Sequence, residues 1–250
     1  MKIDTRRKKY VPGTYVKRRP DAAELSENYI LEWEEKRLEV KKEQPRPDMP
    51  PTICFSRKIG VGAFEIADIL AEKTGYRIVD REILEHIANQ AKLSEKTVAL
   101  FDERYPGEIG ELLSLAFGEK AFIKSDYTRH LFRTILSIAG LGPTIFVGRG
   151  VHMLLPREQV LAVRFIASKE HRINRLARIF DIKEEEAASK LDHMDKEQRD
   201  FFKKVYGKKD ASPYEFDLVI NCDFISDPKW AAEIVALAFR EKLGSEAATT

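Results

Sequence analysis

Cysteine is nearly absent from these 250 residues: Cys54 and Cys222 stand alone, each in a short apolar segment that reads as a strand. Two isolated cysteines give no ligand cluster for zinc, and the expected state is a pair of buried, reduced thiols in a cytoplasmic protein. The five histidines are scattered without metal spacing, so no metal-ligating residue is assigned. No apolar run approaches the roughly eighteen residues of a membrane span, and the charged N-terminus has no apolar signal core. Internal repeats and low-complexity segments are also missing. With 43% hydrophobic and 34% charged residues, the chain has material for one sizeable core and a small appendage.

The net charge of +2 hides an asymmetry, because residues 1–20 hold eight Lys/Arg against one acid, Asp4. Such an arm reads as a solvated, disordered tail, or as a means of binding nucleic acid or an anionic surface. It has few aromatics and no recognisable nucleic-acid module. Residues 22–43 read as a helix with Leu25, Tyr29, Trp33 and Val40 on one face, a stripe able to dock on the body or on a partner. "QPRPDMPP" then ends the helix and marks a linker. Residues 1–50 are therefore expected to be a basic arm, an amphipathic helix and a Pro-rich linker, with the main domain over 51–250. Its oligomeric state is not legible.

From Pro51 the pattern alternates. "TICFS", "RIVD", "PTIFVG", "VLAVRFIA" and "FDLVINC" read as strands. Residues 63–74, 81–91, 95–139 and 169–205 read as helices, with a break near "YPGEIG". "SDPKWAAEIVALAFREKL" is a closing helix with Ser226 or Asp227 as N-cap and Pro228 in its first turn. This alternation predicts an α/β fold, a central parallel sheet of about five strands with helices on both faces. Ligands of such sheets bind at the C-terminal ends of the strands.

"SRKIGVGAFEIADIL" sits at that place after the first strand. Gly60 and Gly62 permit positive φ and close approach of backbone to a ligand. The N–H groups at the start of the following helix can hold an anion, and Arg57 and Lys58 add positive charge. The standard phosphate-loop pattern G-x-x-x-x-G-K-[ST] is not met, since Ala63 stands where the Lys would be and Phe64 where the Mg²⁺-binding hydroxyl would be. Alone, the stretch reads equally as a structural glycine turn.

Taken in order, the segments resemble the cytidylate kinase-like family of P-loop proteins. The first loop is similar to that family's "SREYGSGG". "GYRIVDREILEHIA" resembles its second strand and following helix, and "TIFVGRGVHMLLP" its Gly-Arg-Gly strand end. The stretch from "VRFIASKEHRINRLARIF" to "DKEQRDFFKKVYG" resembles its helical lid and the helix after it, and "FDLVINCD" its last strand. The resemblance spans about residues 51–243. It implies a three-layer P-loop NTPase-like fold with a helical lid, ATP and Mg²⁺ as cofactors, and CMP or a related small acceptor.

What the resemblance implies for individual residues follows. Ser56, Gly60, Val61, Gly62 and Ala63 form the phosphate cradle, with Arg57 or Lys58 supplying the charge of the missing lysine. Arg149, between Gly148 and Gly150, binds the acceptor's phosphate; the bland reading is an Arg paired with a nearby acid. Cytidylate kinases proper have Arg-Asp here, so Gly150 leaves the acceptor base open. Arg172, Arg175 and Arg178 close over the donor phosphates, with Arg175 counted among the catalytic cations, or they form a solvated helix face. Asp195 and Arg199 meet the acceptor, or pair with each other along a helix. By its position at the end of the second strand rather than by the resemblance, Asp80, followed by Arg81, could hold a nucleoside or a metal-bound water, or equally cap a helix. Lys203, Lys204, Lys208 and Lys209 extend the phosphate-facing surface or are solvated.

Two main readings remain. One is a kinase-like phosphotransferase. The other is a P-loop nucleotide-binding regulatory protein with little or no transfer, docking a partner through its N-terminal segment. A third is nucleic-acid binding through residues 1–20.

Overall fold

The structure, a computed structural model, describes residues 21–39, 49–90, 95–99 and 126–244. The basic arm, most of the proline-rich linker and the stretch around "YPGEIG" lie outside the described residues. The strands are β1 (Thr52–Arg57), β2 (Arg77–Asp80), β3 (Thr144–Val147), β4 (Val160–Ile166) and β5 (Leu218–Asn221). The helices are α1 (Ala22–Glu39), α2 (Ala63–Thr74), α3 (Arg81–Asn89), α4 (Asp126–Leu141), α5 (Lys169–Phe180), α6 (Glu184–Tyr206) and α7 (Pro228–Leu243).

All five strands run parallel in the order β2-β3-β1-β4-β5. β1 is central, its Thr52 in register with Thr144 on one side and Val160 on the other. Every residue of β1 is buried, as expected of a strand covered on both faces. Ile53 and Phe55 enter the core beneath α2 and α7, while Cys54 enters the core shared with α1, α3 and α4. Both cysteines are free and buried, and burial pushes the Cys222 thiol up to about 11. No helix of the described residues is long and apolar enough to cross a membrane.

Local chemistry sets the helix ends. Asp80 caps α3 by accepting from the N–H groups of Glu82 (2.9 Å) and Ile83 (3.0 Å). Asp227, rather than Ser226, caps α7 by accepting from Lys229 N–H at 2.8 Å, with Pro228 at the first helical position. The charged stretch expected to be helical over 169–205 is two helices. Asp181 at φ 52° turns the chain between α5 and α6, a left-handed conformation that Asp tolerates better than most residues.

The apolar stripe of α1 docks on the body. Ile30 and Trp33 are buried, and Leu25 and Tyr29 pack beside them. The Tyr29 hydroxyl donates to the Ile78 carbonyl at 3.2 Å. Arg77 pairs with Glu32 and lies 5.8 Å from the Tyr29 and Trp33 ring centres. Val40 lies outside the described residues.

Candidate functional site

The C-terminal ends of β1 and β3 lie side by side, joined by a bond from Gly148 N–H to Phe55 C=O at 2.8 Å. The loop from Ser56 to Phe64 and the turn from Gly148 to Gly150 therefore share one end of the sheet. α5 and α6 cover the loop. Ile59 is buried in a small core with Leu176, Ala187, Leu191 and Met194 from these two helices.

Gly60 and Gly62 have φ of 84° and 83°. A Cβ on Gly60 would lie 3.2 Å from the Arg172 carbonyl, and one on Gly62 would lie 3.1 Å from the Arg175 guanidinium carbon. Positive φ and close approach both require glycine here. The N–H groups of Gly60, Val61 and Gly62 donate to nothing among the described residues, so the loop presents a row of backbone donors at the start of α2. Ala63 and Phe64 are both buried in the core beneath α2. The Phe64 side chain therefore faces away from any ligand of the loop.

The cations divide by partner. Lys58 is turned to Asp210 at 2.6 Å, and Arg164 joins the same carboxylate at 2.8 Å while donating to Ser56 Oγ at 3.1 Å. Burial would raise the Asp210 carboxyl, but hydrogen bonds from Lys58 and Arg164 hold it below the usual range. Arg172 is buried, braced on the Ile59 carbonyl (3.3 Å) and on Asp195 (2.9 Å). Asp195 thus pairs across to α5 rather than along α6 with Arg199, which is exposed. Arg175 spans from α5 to the loop, pairing with Glu65 at 2.6 Å. Arg178 is exposed and donates to the Asn174 carbonyl of its own helix. Lys203, Lys204 and Lys209 are exposed, and Lys208 pairs with Glu215 at 3.0 Å.

Beside the loop lies a cavity of about 340 Å³. Its cations are Arg57, Arg81 and Arg149, from the end of β1, the start of α3 and the turn after β3. Ile59, Met194, Phe201 and Phe202 supply apolar wall, and Glu197, Gln198 and Asp200 line it from α6. Gln198 donates to the Arg57 carbonyl at 3.0 Å, tying α6 to the loop. Asp80, by capping α3, fixes the turn that carries Arg81.

Arg149 is held unusually. It has φ 56° between Gly148 (96°) and Gly150 (69°). Its guanidinium pairs with Glu85 and lies 3.8 Å from the Phe201 ring centre. Its carbonyl accepts from the Tyr206 hydroxyl at 2.5 Å, and its Nε has no hydrogen-bond partner among the described residues. Burial, then the nearby charges of Arg81 and Arg57, lower its pKa to about 9. Glu85 also takes Arg81 at 3.3 Å, so one carboxylate spans two of the three arginines. A Cβ at position 150 would meet Met153 Cε at 2.6 Å and the Tyr206 ring at 2.7 Å. Met153 and Tyr206 thus fill the space that a side chain at position 150 would need.

The sequence singles out Arg57, Lys58, Arg149 and Arg175 and gives Arg81 no role; their neighbours Glu65, Glu85, Arg164, Phe201, Tyr206 and Asp210 emerge only in the folded chain. The signal for Arg81 and Glu85 was present, since they are four apart on one helix.

His152, just beyond this turn, is buried with Nε2 3.6 Å from Glu215 Oε2 and its ring 4.6 Å from that of Phe216. Burial lowers its pKa to about 4, despite the opposing charge of Glu215. A folded pKa below the unfolded value of about 6.5 means the unfolded chain binds the proton first. This contribution is therefore intact above pH 6.5 and is lost as pH falls towards 4, on the order of 3 kcal/mol in all. Urea denaturation at pH 7.5 and 4 should show a larger acid loss in the wild type than in His152→Gln.

A phosphate group suits the loop, whose free backbone donors and overlying Arg175 match an anion. A resident divalent metal does not suit the side chains present. Phe64 replaces the hydroxyl and faces the core, and no group of three His, Cys, Asp or Glu among the described residues converges on a point.

A family model described as the cytidylate kinase-like family matches residues 52–223. An uncharacterized protein from Eubacterium ventriosum is similar in structure, with a TM-score of 0.59 and 18% identity over 76% of this chain and 98% of that one. A shikimate kinase from Bacteroides thetaiotaomicron aligns over 76% of this chain and 96% of its own, with 15% identity and a TM-score of 0.37. No curated protein matches the chain.

Proposed function

The chain belongs to the cytidylate kinase-like family, and from that premise we propose that it is a nucleotide-binding phosphotransferase, moving the γ-phosphoryl group of ATP to CMP or a related small acceptor. The observation that carries this reading is the convergence of Arg57, Arg81 and Arg149 in a cavity beside the glycine loop.

In this reading the donor phosphates lie on the N–H groups of Gly60, Val61, Gly62 and Ala63. Arg175, from the lid, supplies the cation that the loop lysine would have given; Lys58 is committed to Asp210. The acceptor's phosphate sits on Arg149, Arg81 and Arg57, whose planar forks match its oxygens. An acceptor oxygen forms its bond to Pγ as the Pγ–O bond to the β-phosphate breaks, and the negative charge leaves on ADP. The protein's share of such a step is position, fixed positive charge and exclusion of water. Arg172 and Asp195 hold the lid on the loop and act through structure. Any divalent ion would arrive with the donor's phosphates.

The second reading, a regulatory nucleotide binder with little transfer, draws on Ala63 and the core-facing Phe64. A coupled ADP-release assay with ATP·Mg²⁺ and CMP, dCMP, UMP or AMP separates the two. Release that requires one acceptor is expected. Calorimetric binding of ATP or CMP without release would favour the regulatory reading.

A further inference from the structure

Resting on the assignment of the loop as a phosphate cradle, we infer that Glu65 is a positioning residue: it holds Arg175 over Gly62 and is the anion that an incoming phosphate displaces. Glu65 lies in the first turn of α2, two residues after Ala63. Its carboxylate meets Arg175 at 2.6 Å, with the two side chains 26% and 20% exposed. The Arg175 guanidinium lies over Gly62, where a Cβ would come within 3.1–3.3 Å of three of its atoms. Cation, carboxylate and loop donors therefore form one contiguous group.

The other cations near the loop are committed differently. Arg172 is buried and held by both an acid and a carbonyl. Lys58 shares Asp210 with Arg164. Arg175 alone among these three has its ion-pair partner on the helix that the loop opens. A carboxylate at a helix N-terminus is favoured by the same dipole and N–H groups that favour phosphate. Glu65 thus occupies the electrostatic position of the ligand while holding the cation ready. A polyphosphate carries more charge and accepts the guanidinium fork bidentately, so it exchanges with Glu65 as the partner of Arg175.

The cost of this arrangement is apparent affinity, which scales with the fraction of molecules in which Arg175 is unpaired. Metal-free inorganic tripolyphosphate, titrated calorimetrically into the full chain, reads that fraction. Glu65→Gln should bind it about 5- to 10-fold more tightly than wild type. Glu65→Asp, which keeps the charge, should stay within about 2-fold. Arg175→Gln should bind more weakly, and the double variant should show no gain over Arg175→Gln. A carboxylate that served only to stabilise α2 would make Glu65→Gln bind equally or less well, and that outcome overturns the inference while leaving the cradle standing. If wild type and Glu65→Gln both fail to bind tripolyphosphate, with melting curves showing both folded, the assignment of the loop falls and the inference falls with it.

Discussion

Replacing Arg149 by alanine is expected to lower kcat/KM for the acceptor by about a thousandfold, the scale of removing one preorganised charge from a transition state. The guanidinium has already lost most of its water. Burial and two neighbouring arginines bring its pKa down to about 9, and the charges of Tyr206 and Glu197 offset only part of that. A phosphate arriving at Arg149 therefore gains much more than it would from a solvated lysine on α6. Arg149→Lys should recover little, because an ammonium can neither match two oxygens nor lie flat on Phe201. Stability should fall by only about 1–2 kcal/mol, since Glu85 keeps Arg81 as a partner. Steady-state kinetics alongside melting curves separate the two effects.

Gly150→Asp, which would write the Arg-Asp pair of cytidylate kinases proper into this chain, should destabilise it by about 3 kcal/mol and lower Tm by roughly 10 °C. Two costs combine. The residue has φ 69°, which disfavours a side chain, and its Cβ would lie 2.6–2.9 Å from Met153 Cε and the Tyr206 ring. Tyr206 is packed on Phe132 and holds the Arg149 carbonyl, so its retreat would loosen the Arg149 turn as well. Gly148 is the internal control. It too has positive φ, but nothing lies within 4 Å of its Cβ position. Gly148→Ala should lose only the backbone term, about 1 kcal/mol. A thermal-melt series of the two variants decides whether crowding by Tyr206 is the larger cost.

Features that depend on neighbours in sequence were legible. Apolar runs gave β1 and β3, Asp80 and Asp227-Pro228 marked helix starts, and Gly60 and Gly62 marked the loop. Features that depend on which elements meet were not. Asp195 is four residues from Arg199 on α6, yet its partner is Arg172, because α5 lies against that face and a buried guanidinium left unpaired costs more than an exposed one. Lys58 and Arg57 are adjacent and chemically alike along the chain, but one is drawn to Asp210 and the other lines the cavity. Asp210 sits in an irregular stretch after α6 with no periodicity to announce it. Gly150 was visible as a departure from Arg-Asp; its cause, Tyr206, comes from 56 positions further on.

α1 gives the sheet two unlike margins. β2 is an outer strand, and an outer strand's unpaired carbonyls invite pairing with another chain. Tyr29 occupies one of them, at Ile78, while Glu32 fastens Arg77 and Trp33 roofs the core behind it. On the opposite margin β5 carries Val219, 43% exposed. A chain shortened to the proline-rich linker would thus have both margins bare, one of them opening onto the hollow left by Trp33. In the folded molecule α1 thus serves the sheet edge and the core behind it at once.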